Sequence, residues 1–265
     1  MTIAMPKPDR EVLSRREAIV AALRAIVPGE GVVDATNEMR VFETDALTAY
    51  RQLPLVVVLP DTVEQVAAVL KYCHAEGIKV VPRGSGTSLS GGALPLEDGV
   101  LLVLSRFNRI LDVDFDNRCA VVQPGVTNLG ITRAVEHAGF YYAPDPSSQI
   151  ACSIGGNVAE NSGGVHCLKY GLTANNLLGI EFVTIEGEVI RLGGKHLDSE
   201  GYDLIGLMTG ALTPHDLQAL ALDELVAGHY EAMIDHYGET TGVRHARKHL
   251  GWYLDRVAIR QGGPM

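Results

Sequence analysis

The sequence has no run of 18 consecutive apolar residues, and no apolar stretch follows the N-terminal Met1. A membrane-spanning helix needs about 20 predominantly apolar residues, and a secretory signal needs an apolar core behind its first few residues. We therefore expect a cytoplasmic protein, and attachment to a membrane through partners stays open.

An excess of positive charge is also lacking, since 32 acidic residues face 22 Lys and Arg and the formal net charge is −10. This balance argues against a general nucleic-acid or anionic-membrane surface. An acidic chain that binds a phosphate-bearing ligand must use backbone N–H groups and a few local cations.

The cysteines Cys73, Cys119, Cys152 and Cys167 have no Cys-x-x-Cys spacing. Reduced thiols are the default for such a pattern in a cytosolic protein. Cys152, His166 and Cys167 are conceivable metal ligands, but the side chains of the adjacent His166 and Cys167 diverge in regular structure. We therefore expect no metal site.

Glycine is abundant, with 29 residues, and four glycines lie in the segment from Pro82 to Ala93. The segment also contains serines, a threonine and one cation, Arg83, and it follows the strand-like run 78–81. Glycine adopts backbone conformations that let successive N–H groups point into one concavity, which suits a phosphate. A flexible linker is the alternative, but the apolar runs 80–81 and 100–104 on either side are typical of buried strands.

Two common phosphate motifs do not fit this segment. Gly86 and Gly91 have the spacing of a P-loop, but Gly92 and Ala93 stand where Lys and Ser or Thr belong. Leu89 occupies the third glycine position of the dinucleotide fingerprint. The loop therefore belongs to another class of phosphate site.

The flanking pattern predicts a mixed fold of helices and strands. Apolar spacing predicts a helix over 10–26, a buried strand over 55–59, a helix over 62–76 opened by a capping box at Thr62, and a strand over 78–82. Strands at 100–104, 109–114 and 119–123, joined by short turns, suggest antiparallel pairing. A helix over 129–138, a short helix over 155–161 and a hairpin around Glu186 and Gly187 follow.

A second block of small and polar residues supports a family resemblance. It runs from Asp145 to Ser148, continues from Cys152 to Gly164, and ends at Lys169-Tyr170-Gly171. Together with 83–93, this block resembles the FAD-binding domain shared by relatives of vanillyl-alcohol oxidase and p-cresol methylhydroxylase. Within that group it looks most like the FAD-linked subunit of glycolate oxidase and the D-lactate dehydrogenases.

The resemblance implies an α+β, two-subdomain FAD-binding fold, with a small βαβ-containing subdomain and an antiparallel sheet with helices. It implies FAD as cofactor and a 2-hydroxy acid such as glycolate or D-lactate as substrate. Partner subunits of a glycolate oxidase-like complex are also implied. The implied cofactor-binding residues are Arg83, Gly84, Ser85, Gly86, Thr87, Ser88, Asp145, Ser148, Ser153, Gly155, Gly156, Asn157, Asn161, Gly163 and Gly164.

Several roles stay open at this stage. Ser153 and Asn157 are either cofactor ligands or plain helix caps, and His166 is either a polar group near the flavin or a structural histidine. Thr87 stands where some relatives carry a histidine bonded covalently to the flavin, so the resemblance implies non-covalent FAD. No catalytic residue is assigned.

The resemblance ends at Gly210, where a Ser-Glu-Gly-Thr segment is expected and Ala211-Leu212-Thr213-Pro214 stands instead. A substrate-capping domain is likewise expected and absent. The segment 213–257 is similar to the helical module of bacterial tRNA-dihydrouridine synthases, with Arg244, Arg247 and Lys248 as RNA contacts or as a solvated face. The junction is a fusion, a rearranged gene or a frame error.

The sequence therefore predicts a helical lead-in over 1–50, an FAD-binding domain over 51–210 and an all-α tail over 211–265. Three functions remain: an FAD-dependent 2-hydroxy-acid oxidoreductase subunit, a flavin-binding fragment without turnover, and an RNA-binding module fused to a flavin-domain fragment.

Overall fold

The structure is a computed structural model, and it describes residues 5–195 and 204–209. The predicted tail and its RNA contacts Arg244, Arg247 and Lys248 lie outside these residues. The described chain folds into one four-stranded sheet with helices, followed by two separate two-stranded sheets with shorter helices.

The N-terminal helix predicted over 10–26 is present as two helices, α1 (Arg10–Ser14) and α2 (Arg16–Ile26). The break is at Arg15, whose φ of −93° and ψ of 6° depart from helical values. Asp9 caps α1 by accepting a hydrogen bond from the backbone N–H of Glu11. Both helices bury an apolar face, formed by Val12, Ile19, Val20 and Leu23.

The main sheet contains β1 (Val32–Val33), β2 (Val56–Val58), β3 (Lys79–Arg83) and β4 (Gly99–Val103). Its order is β1-β2-β4-β3; β4 is parallel to both neighbours, and β1 is antiparallel to β2. The expectation of antiparallel pairing for the strand at 100–104 is therefore wrong. All five residues of β4 are buried, and a strand buried on both faces belongs in the interior of a parallel sheet.

The helix α4 (Val63–Ala75) connects β2 to β3. These two strands are not neighbours in the sheet, because β4 lies between them. Thr62 caps α4 by accepting from the N–H of Gln65. In a capping box the side chain of Gln65 would accept from the N–H of Thr62. Here Gln65 Oε1 accepts instead from the N–H of the preceding residue, Asp61. Gly77, with φ of 65°, follows the helix in the left-handed conformation that favours glycine at the end of a helix.

The second half of the described chain contains the predicted antiparallel hairpins. β5 (Ile110–Asp114) pairs with β6 (Cys119–Val122), and β7 (Gly179–Val183) pairs with β8 (Val189–Gly193). Between them lie α5 (Asn128–Val135), α6 (Ile154–Ala159) and α7 (Cys167–Tyr170), and α8 (Leu204–Met208) comes last. Short 3-10 helices occupy Gly29–Gly31, Arg40–Phe42, Glu136–Ala138 and Ala174–Asn176, and the four-residue helix α3 is Thr36–Met39.

The cores of the two halves differ in size. A large cluster packs α2 and α4 against one face of the main sheet, and a smaller one covers Val57 and Leu101 on the other face. The cluster in the second half has three buried members: Val126, Ile131 and Ile154. Within the described residues, no helix has the length and apolar character to cross a membrane.

Candidate functional site

The glycine-rich loop leaves the end of β3, where the sequence predicts it, and leads back to β4. Gly86 and Gly91 have φ of 70° and 80°, in the left-handed region that favours glycine. The hydroxyl of Ser88 accepts from the N–H groups of Ser90 and Gly92 and so stabilises the second half of the loop. We call residues 84–93 the glycine loop.

The first half of the glycine loop presents unused donors. In the described structure, the backbone N–H groups of residues 85–88 donate to no protein acceptor. Consecutive N–H groups without protein partners are what an anion site of the nest type requires. The geometry therefore matches the role predicted from the loop's composition.

Arg83 lies at the base of the glycine loop and is 8% exposed. Its Nη1 donates to the carbonyl oxygens of Thr44 at 2.9 Å, Ala93 at 3.1 Å and Phe42 at 3.4 Å. Burial lowers the pKa of Arg83, and the nearby carboxylate of Asp45 opposes that shift. The guanidinium is thus a buried group bonded to backbone.

The helix α6 runs along the glycine loop. A Cβ at Gly84 would lie 2.0 Å from Oγ of Ser153, the residue that precedes α6, and a Cβ at Gly92 would lie 2.6 Å from Oε1 of Glu160, the residue that follows it. The two blocks, separated by about sixty residues of sequence, therefore meet over the length of this helix. A side chain at Gly84 would crowd Ser153 at the start of the helix, whereas at Gly92 it would meet the flexible end of Glu160.

Neither Ser153 nor Asn157 behaves as a plain helix cap. Ser153 occupies the N-cap position of α6, but its side chain makes no capping hydrogen bond. Asn157 lies inside α6, is 3% exposed, and its Nδ2 has no partner among the described residues. A buried unpaired amide costs about 1–3 kcal/mol, so Asn157 is a donor that a ligand could satisfy.

The glycines of the second block have separate local roles. Gly155 packs on Pro124, because a Cβ there would lie 2.6 Å from the proline Cβ. A Cβ at Gly163 would lie 2.4 Å from Cδ2 of Leu172, and a Cβ at Gly164 would lie 2.2 Å from the backbone carbonyl oxygen of Asp145. Gly156 is more open, with Oγ of Ser153 as its nearest neighbour at 3.4 Å.

Asp145 and His166 form a side-chain pair next to Gly164. Nδ1 of His166 lies 2.6 Å from Oδ2 of Asp145, and the imidazole side chain is 62% exposed. The hydrogen bond from His166 lowers the pKa of Asp145. His166 is therefore an exposed histidine whose imidazole is paired with a carboxylate.

Asn161 and Ser148 hold the polypeptide around α6. Asn161 adopts a left-handed φ of 47°, and its Oδ1 accepts from the N–H of Ala174. The carbonyl of Ser148 accepts from the N–H groups of Ala151 and Cys152, which lead into α6.

Sequence reasoning missed the segment that holds Arg83. Phe42 and Thr44 contribute carbonyl groups, which any residue carries, and the buried Asp45 has no motif around it. Glu160 beside Gly92 was missed as well. No signal in one sequence would have identified these neighbours.

The site fits a cofactor that carries a diphosphate. The glycine loop offers four consecutive N–H groups without a partner in the described structure, and α6 offers the unpaired amide of Asn157 in the facing segment. The close approach of the loop to the start of α6 is favoured by the absence of a side chain at Gly84. Among the described residues no cluster of metal-ligating side chains was found.

Comparison with known families agrees with this fit, since residues 54–193 match the family model described as an FAD binding domain. The chain belongs to the FAD-binding domain family. FAD is accordingly the cofactor of this domain, and the resemblance predicted from the two sequence blocks is confirmed.

The relatives of this FAD-binding domain include "Glycolate oxidase subunit GlcD" from Escherichia coli K12, 59% identical over 196 residues, or 74% of this chain and 39% of that protein. "D-lactate dehydrogenase" from Archaeoglobus fulgidus is 40% identical over 68% of this chain and 41% of its own length. The chain thus spans about two fifths of these relatives. The expected relation to glycolate oxidase subunits and D-lactate dehydrogenases is confirmed.

Solved structures share the fold. The 4-ethylphenol oxidase from Gulosibacter chungangensis superposes with a TM-score of 0.63 at 25% identity, over 77% of this chain and 41% of that one. The p-cresol methylhydroxylase gives a TM-score of 0.58 at 23% identity, over 68% and 36%.

Proposed function

We propose that the chain binds FAD non-covalently, with the pyrophosphate in the glycine loop and the facing segment around α6 as the second wall. The observations that carry this proposal are the four unused N–H groups of the glycine loop in the described structure and the contacts of that loop with Ser153 and Glu160, at the two ends of the helix that contains the unpaired Asn157 amide. Both are hydrogen-bond donors, which is what phosphate and flavin oxygens require.

Each wall has its own proposed contacts. The loop residues Gly84, Ser85, Gly86, Thr87 and Ser88 contact the pyrophosphate through backbone N–H groups and hydroxyls. The second wall consists of Asp145, Ser148, Ser153, Gly155, Gly156, Asn157, Asn161, Gly163 and Gly164. Of these, Asn157 makes the direct hydrogen bond, whereas Gly155, Gly163 and Asn161 shape the backbone through the neighbours described above.

Non-covalent attachment follows from Thr87, which offers no imidazole to the flavin. Acid precipitation tests this directly, because a non-covalent flavin is released into the supernatant whereas a covalent one stays with the pellet. We expect release of all bound flavin. A yellow pellet would contradict the assignment.

We further propose that the domain serves an oxidoreductase that acts on a 2-hydroxy acid such as glycolate or D-lactate, as a subunit of a glycolate oxidase-like complex in the cytoplasm. The names of the relatives at 59% and 40% identity support this substrate class. In such a reaction FAD supplies the hydride acceptor. The part of this chain is to bind and orient it, and no catalytic base is assigned.

The reaction is tested with the purified chain, added FAD and a dye acceptor. Glycolate- or D-lactate-dependent dye reduction would support the enzyme, and L-lactate serves as the stereochemical control. A protein that retains FAD but reduces no dye would support the alternative proposal of a flavin-binding fragment without turnover.

The RNA-binding function rests on sequence alone and concerns residues 213–257. Arg244, Arg247 and Lys248 would give a basic surface for phosphate contacts. We expect salt-sensitive tRNA binding that is lost when Arg247 and Lys248 are both changed to Glu. Absence of binding at low salt would end this proposal.

A further inference from the structure

Arg83 is the buried cation beneath the glycine loop, and its contacts differ from those of a phosphate ligand. Three backbone carbonyls converge on its Nη1: Thr44 O, Ala93 O and Phe42 O, at 2.9–3.4 Å. Ala93 ends the glycine loop, and Arg83 immediately precedes it. One side chain therefore bonds across the two ends of the loop.

The same side chain fixes the loop to a distant segment. Phe42 and Thr44 lie about forty residues earlier in the chain, and the Phe42 ring centroid is 5.8 Å from the guanidinium carbon. Asp45, 4% exposed, places a carboxylate near the buried cation and offsets part of its desolvation. The guanidinium thus has backbone acceptors, an aromatic neighbour and a counter-charge.

Gly86 covers the remaining part of the guanidinium. A Cβ at position 86 would lie 2.2 Å from Nη2 and 2.6 Å from Cζ of Arg83. Nη1 is occupied by the three carbonyl groups, and Nη2 and Cζ lie against the backbone of Gly86. The backbone of Gly86, in its left-handed conformation, therefore lies against the guanidinium of Arg83, where a side chain at position 86 would not fit.

We propose that Arg83 is a positioning residue that holds the glycine loop in its anion-binding shape by bonding its ends and the segment 42–45 together. It acts on FAD through the loop and makes no direct contact with the pyrophosphate. The planar fork of arginine suits several carbonyl acceptors at once, whereas lysine offers a point charge on a flexible stem. The consequence for FAD rests on the proposed function.

Hydrogen exchange in the full chain without flavin separates positioning from direct contact. The relevant amides are Ser90, Gly92 and Leu94, which donate within the loop, and those of β4 report on the core. For Arg83→Gln we expect about tenfold faster exchange of the loop amides or more, because a hydrogen-bonded charged group is lost, and unchanged exchange in β4. Arg83→Lys should remain accelerated by about threefold, because the charge alone does not restore the fork.

The control is Arg24→Gln, which removes an arginine of the same type from the surface pair with Asp34. It should leave loop exchange and FAD affinity unchanged. Unchanged loop exchange in Arg83→Gln, accompanied by lost FAD affinity, would mean direct contact and overturn the proposal. Loss of protection throughout β4 would also overturn it, because Arg83 would then be a core residue rather than a loop brace.

Flavin titration of the same variants distinguishes this inference from the proposed function. Faster loop exchange with weaker FAD binding supports both. Faster loop exchange with unchanged FAD affinity would support the claim that Arg83 stabilises the loop. It would overturn the role of that stabilisation in FAD binding and the assignment of the loop to the pyrophosphate.

A double-mutant cycle with Gly86→Ala provides an independent check. In the wild-type background the new Cβ displaces the guanidinium, whereas in the Arg83→Gln background only the strain of a left-handed backbone remains. The two substitutions should therefore be clearly less than additive in their effect on loop exchange. Strict additivity would contradict the contact between Gly86 and Arg83.

Discussion

The two halves of the described chain differ in how they bury apolar surface. In residues 10–107, β2 and β4 are covered on both faces, and Val56, Val57, Val58, Val100 and Leu101 are 0% exposed. In residues 109–195, each sheet has two strands, and apolar side chains such as Leu111, Val121 and Val189 are 56%, 41% and 46% exposed. A two-stranded sheet is at best marginally stable by itself.

The weaker half therefore depends on the stronger one. The β7–β8 turn packs on α4, where a Cβ at Gly187 would lie 2.6 Å from the carbonyl oxygen of Ala67. Val183 of β7 packs against the main core. The candidate site lies where the halves meet, since the first supplies the glycine loop and the second supplies α6. The half with the larger core and the half that packs against it thus contribute one proposed wall each.

The largest effect should come from the core of the first half. Leu101→Ala removes a fully buried side chain from β4 and should lower the free energy of unfolding by about 2–5 kcal/mol. Leu111→Ala, the same change on β5 at 56% exposure, should cost less than about 0.5 kcal/mol. Urea unfolding followed by circular dichroism measures both, and equal costs would remove the distinction between the halves.

The next effect should come from the contact between the halves. Gly84→Ala places a Cβ 2.0 Å from Oγ of Ser153, and we expect about 1–3 kcal/mol of destabilisation and at least roughly tenfold weaker FAD binding. Adding Ser153→Ala should restore part of both. Gly194→Ala, where no atom lies within 4 Å of the new Cβ, is the matched control, and a similar loss there would contradict the account.

Asn157 tests whether the second half contributes a ligand-directed donor. Because its Nδ2 has no partner in the described structure, Asn157→Leu should leave the stability of the flavin-free protein undiminished while weakening FAD binding by roughly tenfold, or about 1.4 kcal/mol. In Asn128→Leu the bond from Nδ2 to the carbonyl of Pro144 is lost, so stability should fall. The two variants are compared by thermal unfolding and flavin titration.

A smaller, pH-dependent effect should come from Asp98 in the first half. Burial acts to raise the pKa of Asp98, but hydrogen bonds from Lys79 and the N–H of Asp9 and the charge of Lys79 outweigh it, and the pKa is lowered from 3.8. The unfolded chain then binds more protons at acidic pH, so the stabilisation is complete at neutral pH and is lost as pH falls below about 4.

The corresponding variant is Asp98→Asn, which should cost about 1 kcal/mol at pH 7 and progressively less below pH 4. Urea unfolding at several pH values measures this difference. Asp116→Asn, in the exposed β5–β6 turn, is the surface control for the same substitution. A constant cost for Asp98→Asn across the range would show that its charge plays no part.

Sequence patterns pointed to the residues of the candidate site more readily than to the contacts that hold those residues in place. The two blocks of small residues predicted the two walls of the proposed site, because glycine and hydroxyl residues concentrate where a backbone must approach a phosphate, and the structure brings the two blocks close together. The hairpin at Glu186 and Gly187 was also correct, since a local turn depends on local residues. Arg83 shows the limit, because its partners are carbonyl groups forty residues away that carry no sequence signal.

The strand order was the other point that local pattern did not decide. The short connections that follow the apolar run at 100–104 favour grouping it with the next two strands. Its uninterrupted apolar character was the better guide, because only an interior position buries every residue of a strand. Which strands pair depends on which apolar faces remain to be buried, and the whole sheet decides this rather than any one strand.

The most direct test of the central claim, that two walls from different halves hold one FAD, is the flavin content of the purified full chain after incubation with FAD and desalting. The account predicts close to one FAD per chain, released by acid, and a large loss in both Gly84→Ala and Asn157→Leu. A colourless protein whose core is folded, or one that keeps its flavin in both variants, would contradict it.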